Sequence, residues 1–413
     1  MTVQAPVINT VIGGYDFLFD AQITVQVRRL SIQFGDVRGE ITVSQGVTNK
    51  THLIQERFNY SDGASRTKLA SRLEYKLKAD WVNILEHVCV RTLHLYRQGD
   101  PVIELGADDE PKPPEYYLSP FIIKNYPTVI FGDPGSAKSL VAQVLALMVL
   151  LPWYDNPLGL FTPTQSVKIL YLDWETDKAT IDWSMSCIEK GMGLGLVTMK
   201  YRRCFAPLHS DIEQIAELIN TNHIDIVIVD SLGPATGDDL NATGPTMNFW
   251  NAWKELRTTG LILAHNAKNN DAGKKRSIYG NQMNTAQARC IWESRKAQEA
   301  DSNEMDIALF NIKSPPFSKL HSPVGIHFSF EGNKEIADKI IITPGQPRDI
   351  PELIAVMGTQ AQILHELKRE PLTTEELGDY LNLTGTNIRQ ACHRLKVKNQ
   401  IINVGGKWGL LSK

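Results

Sequence analysis

Cysteine is scarce in this chain. Its five copies, Cys89, Cys187, Cys204, Cys290 and Cys392, lie far apart, and no two have C-x-x-C spacing. That excludes a zinc ribbon and a dense disulfide framework, and a reducing, cytoplasmic setting is expected. Long apolar runs are missing too. The most apolar stretch, 140–153, falls short of the ~20 residues a membrane helix needs, so a buried helix and no membrane association are expected. Residues 1–15 have neither the basic start nor the apolar centre of a signal peptide. There is no excess of one charge: 43 basic residues face 46 acidic ones. A histone-like polycation is therefore excluded, although a local basic patch is not. Internal repeats and low-complexity tracts are absent. With 42% hydrophobic and 22% charged residues, the 413-residue chain has the make-up of a globular protein of two or three domains.

What is present reads as three folded parts joined by two linkers. Residues 1–106 open with a loose lead-in over 1–20. Ile23, Val25 and Val27 then alternate on one face, with Gly35-Asp36 and Gly39 as turn signals, so short antiparallel strands are expected. Trp81, Leu85, Val88, Thr92 and Leu95 recur three or four apart, as on one helix face. This is a small α+β module without a visible catalytic constellation. Residues 107–116, acidic and proline-rich, read as a linker. Over 117–331, short apolar runs (128–131, 169–172, 224–229 and 261–264) alternate with helical stretches. That is the grammar of an α/β fold, a parallel sheet with helices on both faces. Residues 332–358 read as a second linker, and 359–413 as a separate module.

The strongest chemical signal is Gly132-Asp133-Pro134-Gly135-Ser136-Ala137-Lys138-Ser139. It follows an apolar strand and opens an apolar helix, the context a phosphate-binding loop requires. Small residues let backbone N–H groups converge on phosphate oxygens, and the helix points its positive end at them. Lys138 would place a charge on the β and γ phosphates of ATP, and Ser139 a hydroxyl on Mg²⁺. Ala137 stands where the consensus has glycine; alanine accepts helical backbone angles, so the loop is expected to survive.

Two strands end in acids. Asp173 and Glu175 close the run 168–175, and Asp230 closes 226–230. In a parallel sheet such ends converge on the edge that carries the phosphate loop. Asp230 fits the Mg²⁺-side carboxylate (Walker B), and Glu175 the base that activates the attacking water. His265-Asn266 ends a further apolar strand, where His265 could sense the γ-phosphate.

In order and spacing these motifs resemble the RecA-like P-loop NTPases, and within them the hexameric RepA-type helicases and their AAA-like relatives from plasmids and phages. The resemblance rests on four segments: the loop at 132–139, L-Y-L-D-W-E over 170–175, the strand and loop 226–241, and L-I-L-A-H-N-A-K over 261–268. It spans about 117–330. It implies a RecA-like core in which the glutamate after the second core strand is the base; directly after Asp230 this chain has Ser231. RepA-type proteins often carry two histidines at the place of His265-Asn266. The resemblance also implies a homo-hexamer or other ring whose sites are completed by neighbours. Arg289 and Arg295 in 279–296, or Lys313 in 309–316, are the candidates for a charge-stabilising finger acting in trans. Two segments match channel loops that touch DNA. One is the glycine-rich 233–247; the other, 266–282, carries Lys268, Lys274, Lys275 and Arg276, which would neutralise phosphates.

Residues 359–413 read helix, helix, helix, then a β pair around Gly405-Gly406. Thr373 is placed as an N-cap, with Leu377, Tyr380 and Leu381 toward a core and Ile388, Ala391 and Leu395 along the third helix. The pattern resembles winged-helix DNA-binding domains. Beyond Tyr380 there are basic residues but no acid. Asn387, Arg389, Gln390, His393 and Arg394 lie on or near the exposed face of the third helix, with side chains that can read bases or phosphates. The leading expectation is an ATP-hydrolysing, ring-forming DNA helicase or translocase in replication of DNA or mobile elements. Two others stand beside it: an ATP-switched DNA-binding regulator or recombination mediator that does not unwind, and a signalling ATPase whose winged helix docks a protein.

Overall fold

The computed structural model describes all residues except 1–3, 34, 47–50, 99–103, 105, 107–112, 268–276, 334, 346–357, 368–369 and 412–413. The chain divides into two units. One gathers residues 1–114, 205–224 and 234–258; the other gathers 115–204, 225–233 and 259–413.

In the first unit, β1 (Val7–Val11), β2 (Gly14–Phe19), β3 (Ile23–Gln33), β4 (Asp36–Gln45) and β5 (Thr51–Asn59) form an antiparallel sheet in sequential order. The alternation works as expected: Ile23, Val25, Val27, Ile41 and Val43 are buried against α1 (Gly63–Glu74) and α2 (Trp81–Gln98), which supply Leu69, Leu73, Trp81, Leu85 and Val88. Asp62 starts α1 by accepting the backbone N–H groups of Ala64 and Ser65. Three details differ from the sequence reading. The lead-in over 1–20 holds two paired strands, and β1 escapes notice because none of its residues is fully buried. The strands over 21–45 are long rather than short. Gly39 is not a turn: it pairs with Phe58 inside β4, and a Cβ there would lie 2.5 Å from the carbonyl oxygen of Arg28. The unit also takes the helices Ile212–Asn222 and Thr243–Leu256 from later in the chain, and Arg28 pairs with both Asp16 and Glu213. The module at 1–106 is therefore not closed in sequence. Much of 233–247, read as a glycine-rich loop, is helical, in Leu232–Thr236 and Thr243–Leu256.

The second unit starts with a small antiparallel pair, β6 (Tyr116–Leu118) and β7 (Ile122–Ile123). Its main sheet has nine strands. They are β8 (Pro127–Gly132), β9 (Ile169–Asp173), β10 (Lys200–Arg203), β11 (Ile226–Asp230), β12 (Thr259–His265), β13 (Cys290–Ala297), β14 (Glu304–Lys313), β15 (Val324–Asn333) and β16 (Ile336–Gly345). Their order is β10-β9-β11-β12-β8-β13-β14-β15-β16. In that order the strands from β10 to β13 are parallel, as the apolar runs within β8, β9, β11 and β12 predict. The last three are antiparallel, because the connections from β13 onward are too short for a crossover. The sheet is thus mixed, mostly parallel and flanked by helices. The linker expected over 332–358 begins instead with β16, where buried Ile340 and Ile342 carry the period-two signal; residues 346–357 lie outside the described residues.

Helix α3 (Lys138–Leu150) is apolar on every side and buried on every side, in a core shared with Tyr171, Ile228, Leu263, Trp292 and Phe328. Helix α4 (Lys178–Met192) packs on β16. Trp183 Nε1 donates to the Ala337 carbonyl at 3.1 Å. Gly191 comes so close that a Cβ would lie 2.2 Å from the Ile340 carbonyl oxygen. The antiparallel edge of the sheet therefore folds back over α4. At the C-terminal end, helices Thr359–Glu366, Thr374–Leu381 and Gly385–Val397 and the hairpin β17 (Ile401–Val404)–β18 (Lys407–Leu410) enclose Ile363, Leu377, Ile388, Cys392 and Leu395. Thr373 and Glu376 form a reciprocal capping box. Tyr380, expected toward this core, is 63% exposed. Among the described residues no helix is long and apolar enough to cross a membrane.

Candidate active site

The parallel register sets the site. Asp230 pairs with Asp173 across β11 and β9, and His265 pairs with Gly132 across β12 and β8. The strand ends carrying the phosphate loop, the acids and the histidine thus share one edge, where an open α/β sheet binds its ligand.

The loop between β8 and α3 turns through two left-handed residues, Gly135 (φ 73°) and Ala137 (φ 56°, ψ 29°). Ala137 does not take up helical angles as expected. It is the N-cap of α3 and occupies the conformation a glycine holds without cost. Lys138 is buried, with Nζ donating to the carbonyls of Asp133 at 2.9 Å and Gly132 at 3.3 Å. Burial pulls its ammonium pKa down, against the opposing pull of Glu175, Asp230 and Asp133.

Each acid has its own partners. Asp173 is fully buried and accepts the backbone N–H groups of Glu175 (2.8 Å) and Thr176 (2.9 Å), the Tyr201 hydroxyl (2.8 Å) and the Arg203 guanidinium (3.2 Å). It shapes the turn that presents Glu175. Glu175 accepts the Ser231 hydroxyl, and His265 Nε2 lies 3.3 Å from the same carboxylate oxygen. The His265 contact, with Ser231 and Lys138 behind it, holds Glu175 below the usual glutamate range despite partial burial. Asp230, 2% exposed, accepts the Tyr171 hydroxyl at 2.6 Å. Burial pushes its carboxyl up, and Glu175 and Asp173 add to this, while the Tyr171 and Ser139 hydrogen bonds pull it down. Asn266 donates from Nδ2 to Asp133 at 2.7 Å and from its backbone N–H to Gly132 O at 3.1 Å, joining the tip of β12 to the phosphate loop.

The donor set fits Mg²⁺ carried by a nucleotide. Among the described residues no cluster of three or more His, Cys, Asp or Glu could cage a metal. A hydroxyl, Ser139, is hydrogen-bonded to a buried carboxylate, Asp230, that has like charges around it. Mg²⁺ is ordinarily held by one or two protein oxygens together with substrate phosphates and water.

The other sequence candidates scatter. Lys313 Nζ is engaged by the carbonyls of Thr285, Ala286 and Ala288 at 2.7–3.1 Å, closing the short helix Met283–Gln287. Arg289 is exposed, and its backbone N–H bonds to Pro127 O at the sheet edge opposite the phosphate loop. Arg295 lies beyond Ser294, the partner of Gly132, with Nε 2.8 Å from Glu293. Lys268, Lys274, Lys275 and Arg276 lie outside the described residues. Asn387, Arg389, Gln390, His393 and Arg394 are all exposed on the Gly385–Val397 helix. Asn387, Gln390 and Arg394 turn toward an open cavity of about 730 Å³ that Phe310 and Pro323 also line.

Sequence reasoning passed over Tyr171, Tyr201 and Ser231. Tyr171 had a usable signal, since it stands two residues before Asp173 in a run otherwise aliphatic. Tyr201 and Ser231 had none, because their roles depend on which strands become neighbours. A family model described as an AAA domain matches residues 94–271, less than half of the chain. That range holds the phosphate loop, Asp173, Glu175, Asp230 and His265, and stops short of Arg289, Arg295, Lys313 and the C-terminal helices. No curated protein matches the chain.

Proposed function

We propose that this chain is a P-loop ATPase that acts as a DNA motor, a ring-forming helicase or translocase of the RepA type in replication of DNA or mobile elements. The observation that carries the ATPase reading is the convergence of Lys138, Asp230, Glu175 and His265 on one sheet edge, within the segment that matches the AAA domain. The backbone N–H groups of 135–139 and the Lys138 ammonium would bind the phosphates. Ser139 and Asp230 would hold Mg²⁺, which when bound offsets phosphate charge. Glu175, kept ionised by its contacts, would orient a water and take its proton at a carboxylate oxygen. His265, beside Glu175, would register the γ-phosphate.

The DNA part of the reading is supported by the exposed polar and basic face of the Gly385–Val397 helix, in three helices and a hairpin that resemble a winged helix. One of Arg289, Arg295 and Lys313 would serve a neighbouring subunit. The deciding experiment is ATP turnover without nucleic acid, with single-stranded DNA and with duplex, using Lys138→Ala as the blank. DNA-stimulated turnover lost in the blank supports the motor. Turnover indifferent to any DNA, in a protein that fails to bind DNA at low salt, refutes it and favours a protein-docking ATPase. DNA-stimulated turnover with no opening of a forked duplex favours the regulator.

A further inference from the structure

Tyr171 sits in the middle of β9, 0% exposed, with no route for its side chain to reach a ligand. Its ring is part of the core beneath the sheet and stacks on Tyr201 at 6.3 Å between centroids. Its hydroxyl nevertheless crosses to the next strand and donates to Oδ2 of Asp230 at 2.6 Å. A buried phenol is a costly way to fill a core position that Leu or Phe would fill, and it persists where its hydroxyl finds a partner.

We propose that Tyr171 is a positioning residue for the metal-side carboxylate: its hydroxyl fixes the Asp230 rotamer so that the carboxylate faces the Ser139 hydroxyl when a Mg²⁺–nucleotide binds. This rests on the ATPase reading above. The geometry argues for it in two ways. First, a carboxylate on a strand end can rotate about two bonds, and a 2.6 Å charge-assisted bond to one oxygen removes that freedom. Second, the neighbouring strand repeats the device, for Tyr201 donates to Asp173 at 2.8 Å. The two tyrosines hold different acids, so their effects are separable.

The test is the Mg²⁺ dependence of nucleotide affinity, not turnover. The dissociation constant of a fluorescent ADP analogue is measured in EDTA and in excess Mg²⁺, and the ratio of the two is compared among variants. For Tyr171→Phe the ratio is expected to fall about tenfold, the worth of one hydrogen bond to a buried charge, with affinity in EDTA kept within about twofold. Tyr201→Phe is expected to keep the wild-type ratio. A Tyr171→Phe protein that binds the analogue more weakly in both conditions, at an unchanged ratio, has lost only structural support, and the proposal is overturned. Should Tyr171→Phe fail to fold, 3-fluorotyrosine at position 171 alone keeps the ring and strengthens the donor; the ratio should then shift, and an unchanged ratio overturns the proposal. Failure of the underlying reading is recognised separately: Lys138→Ala would then bind the analogue as tightly as wild type.

Discussion

Replacing Ala137 by glycine should make the protein more stable. Alanine at φ 56° and ψ 29° brings its Cβ close to the following carbonyl oxygen. For an L-residue that conformation costs roughly 1–2 kcal/mol. Glycine relieves the clash but adds freedom to the unfolded chain, worth about 0.4–1 kcal/mol. At the middle of each range, the difference leaves the Ala137→Gly protein about 0.8 kcal/mol more stable. In a unit of this size that raises the melting temperature by about 1–4 °C. Ala137→Val makes the converse case: a β-branched residue at positive φ is a genuine outlier, and its melting temperature should fall below wild type. Differential scanning calorimetry without nucleotide reads both variants. The order Gly, Ala, Val from highest to lowest is expected. A glycine variant melting at or below wild type, or a valine variant above it, would show that position 137 is not left-handed in solution, and the reasoning would be refuted.

Four further outcomes follow from the same geometry. Glu175→Gln should bind nucleotide normally and turn over about 10²–10⁴-fold more slowly, the usual loss for a general base; single-turnover ATP hydrolysis checks it. Because the His265 contact is the largest influence lowering the Glu175 pKa, wild-type turnover should persist at acid pH and fall only as pH drops below the usual glutamate range, whereas in His265→Ala that acid limb should move upward; a pH–rate profile with the two limbs coincident would contradict the pairing. Asp173→Ala strands the Tyr201 hydroxyl and two backbone N–H groups around a fully buried position and should cost about 2–4 kcal/mol in urea unfolding, with Asp173→Asn milder. If the Gly385–Val397 helix grips DNA, Arg389→Ala and Arg394→Ala should each weaken binding and reduce the slope of log affinity against log salt by about one.

The four inner strands of the parallel half, β9, β11, β12 and β8, were legible because burial on both faces writes itself as unbroken apolar runs, whereas β10, Lys-Tyr-Arg-Arg, carries no such run. Residues 128–131, 169–172 and 261–264 all lie within strands. The antiparallel half was not legible. β15 and β16 alternate buried Ile326, Phe328, Ile340 and Ile342 with polar residues, and the charged and proline-containing surroundings of 332–345 hid that period. Unit boundaries were least legible, since helices 212–222 and 243–256 join strands more than 150 residues earlier through contacts such as Arg28–Glu213. Local pattern carries no trace of such a pairing. At the candidate site, phosphate-loop spacing singled out Lys138 and Ser139, and strand ends Asp230 and Glu175, residues that the fold brings to one edge of the sheet. What spacing could not give was the conformation of Ala137, because only the closed loop shows that the position must be left-handed.

On the proposed ATPase reading, the acids would divide their labour in a way that strand-end position alone does not predict. Asp173, Glu175 and Asp230 crowd one edge of the sheet. Two of them respond in opposite directions. Glu175, half in solvent with His265, Ser231 and Lys138 beside it, is held down. Asp230, buried under Tyr171 with Glu175 and Asp173 as neighbours, is pushed up. Pairs of titratable groups whose surroundings drive their pKa values apart are the usual mark of divided roles. A carboxylate that water solvates poorly and neighbours repel gains most from a cation, and on that reading Asp230 would be that carboxylate. A carboxylate already ionised at the solvent margin gains little from a cation, and Glu175 would be the one left to take a proton from water. Asp173, saturated by Tyr201, Arg203 and the turn it caps, is left for neither task, which is why its loss should be felt in folding before it is felt in turnover.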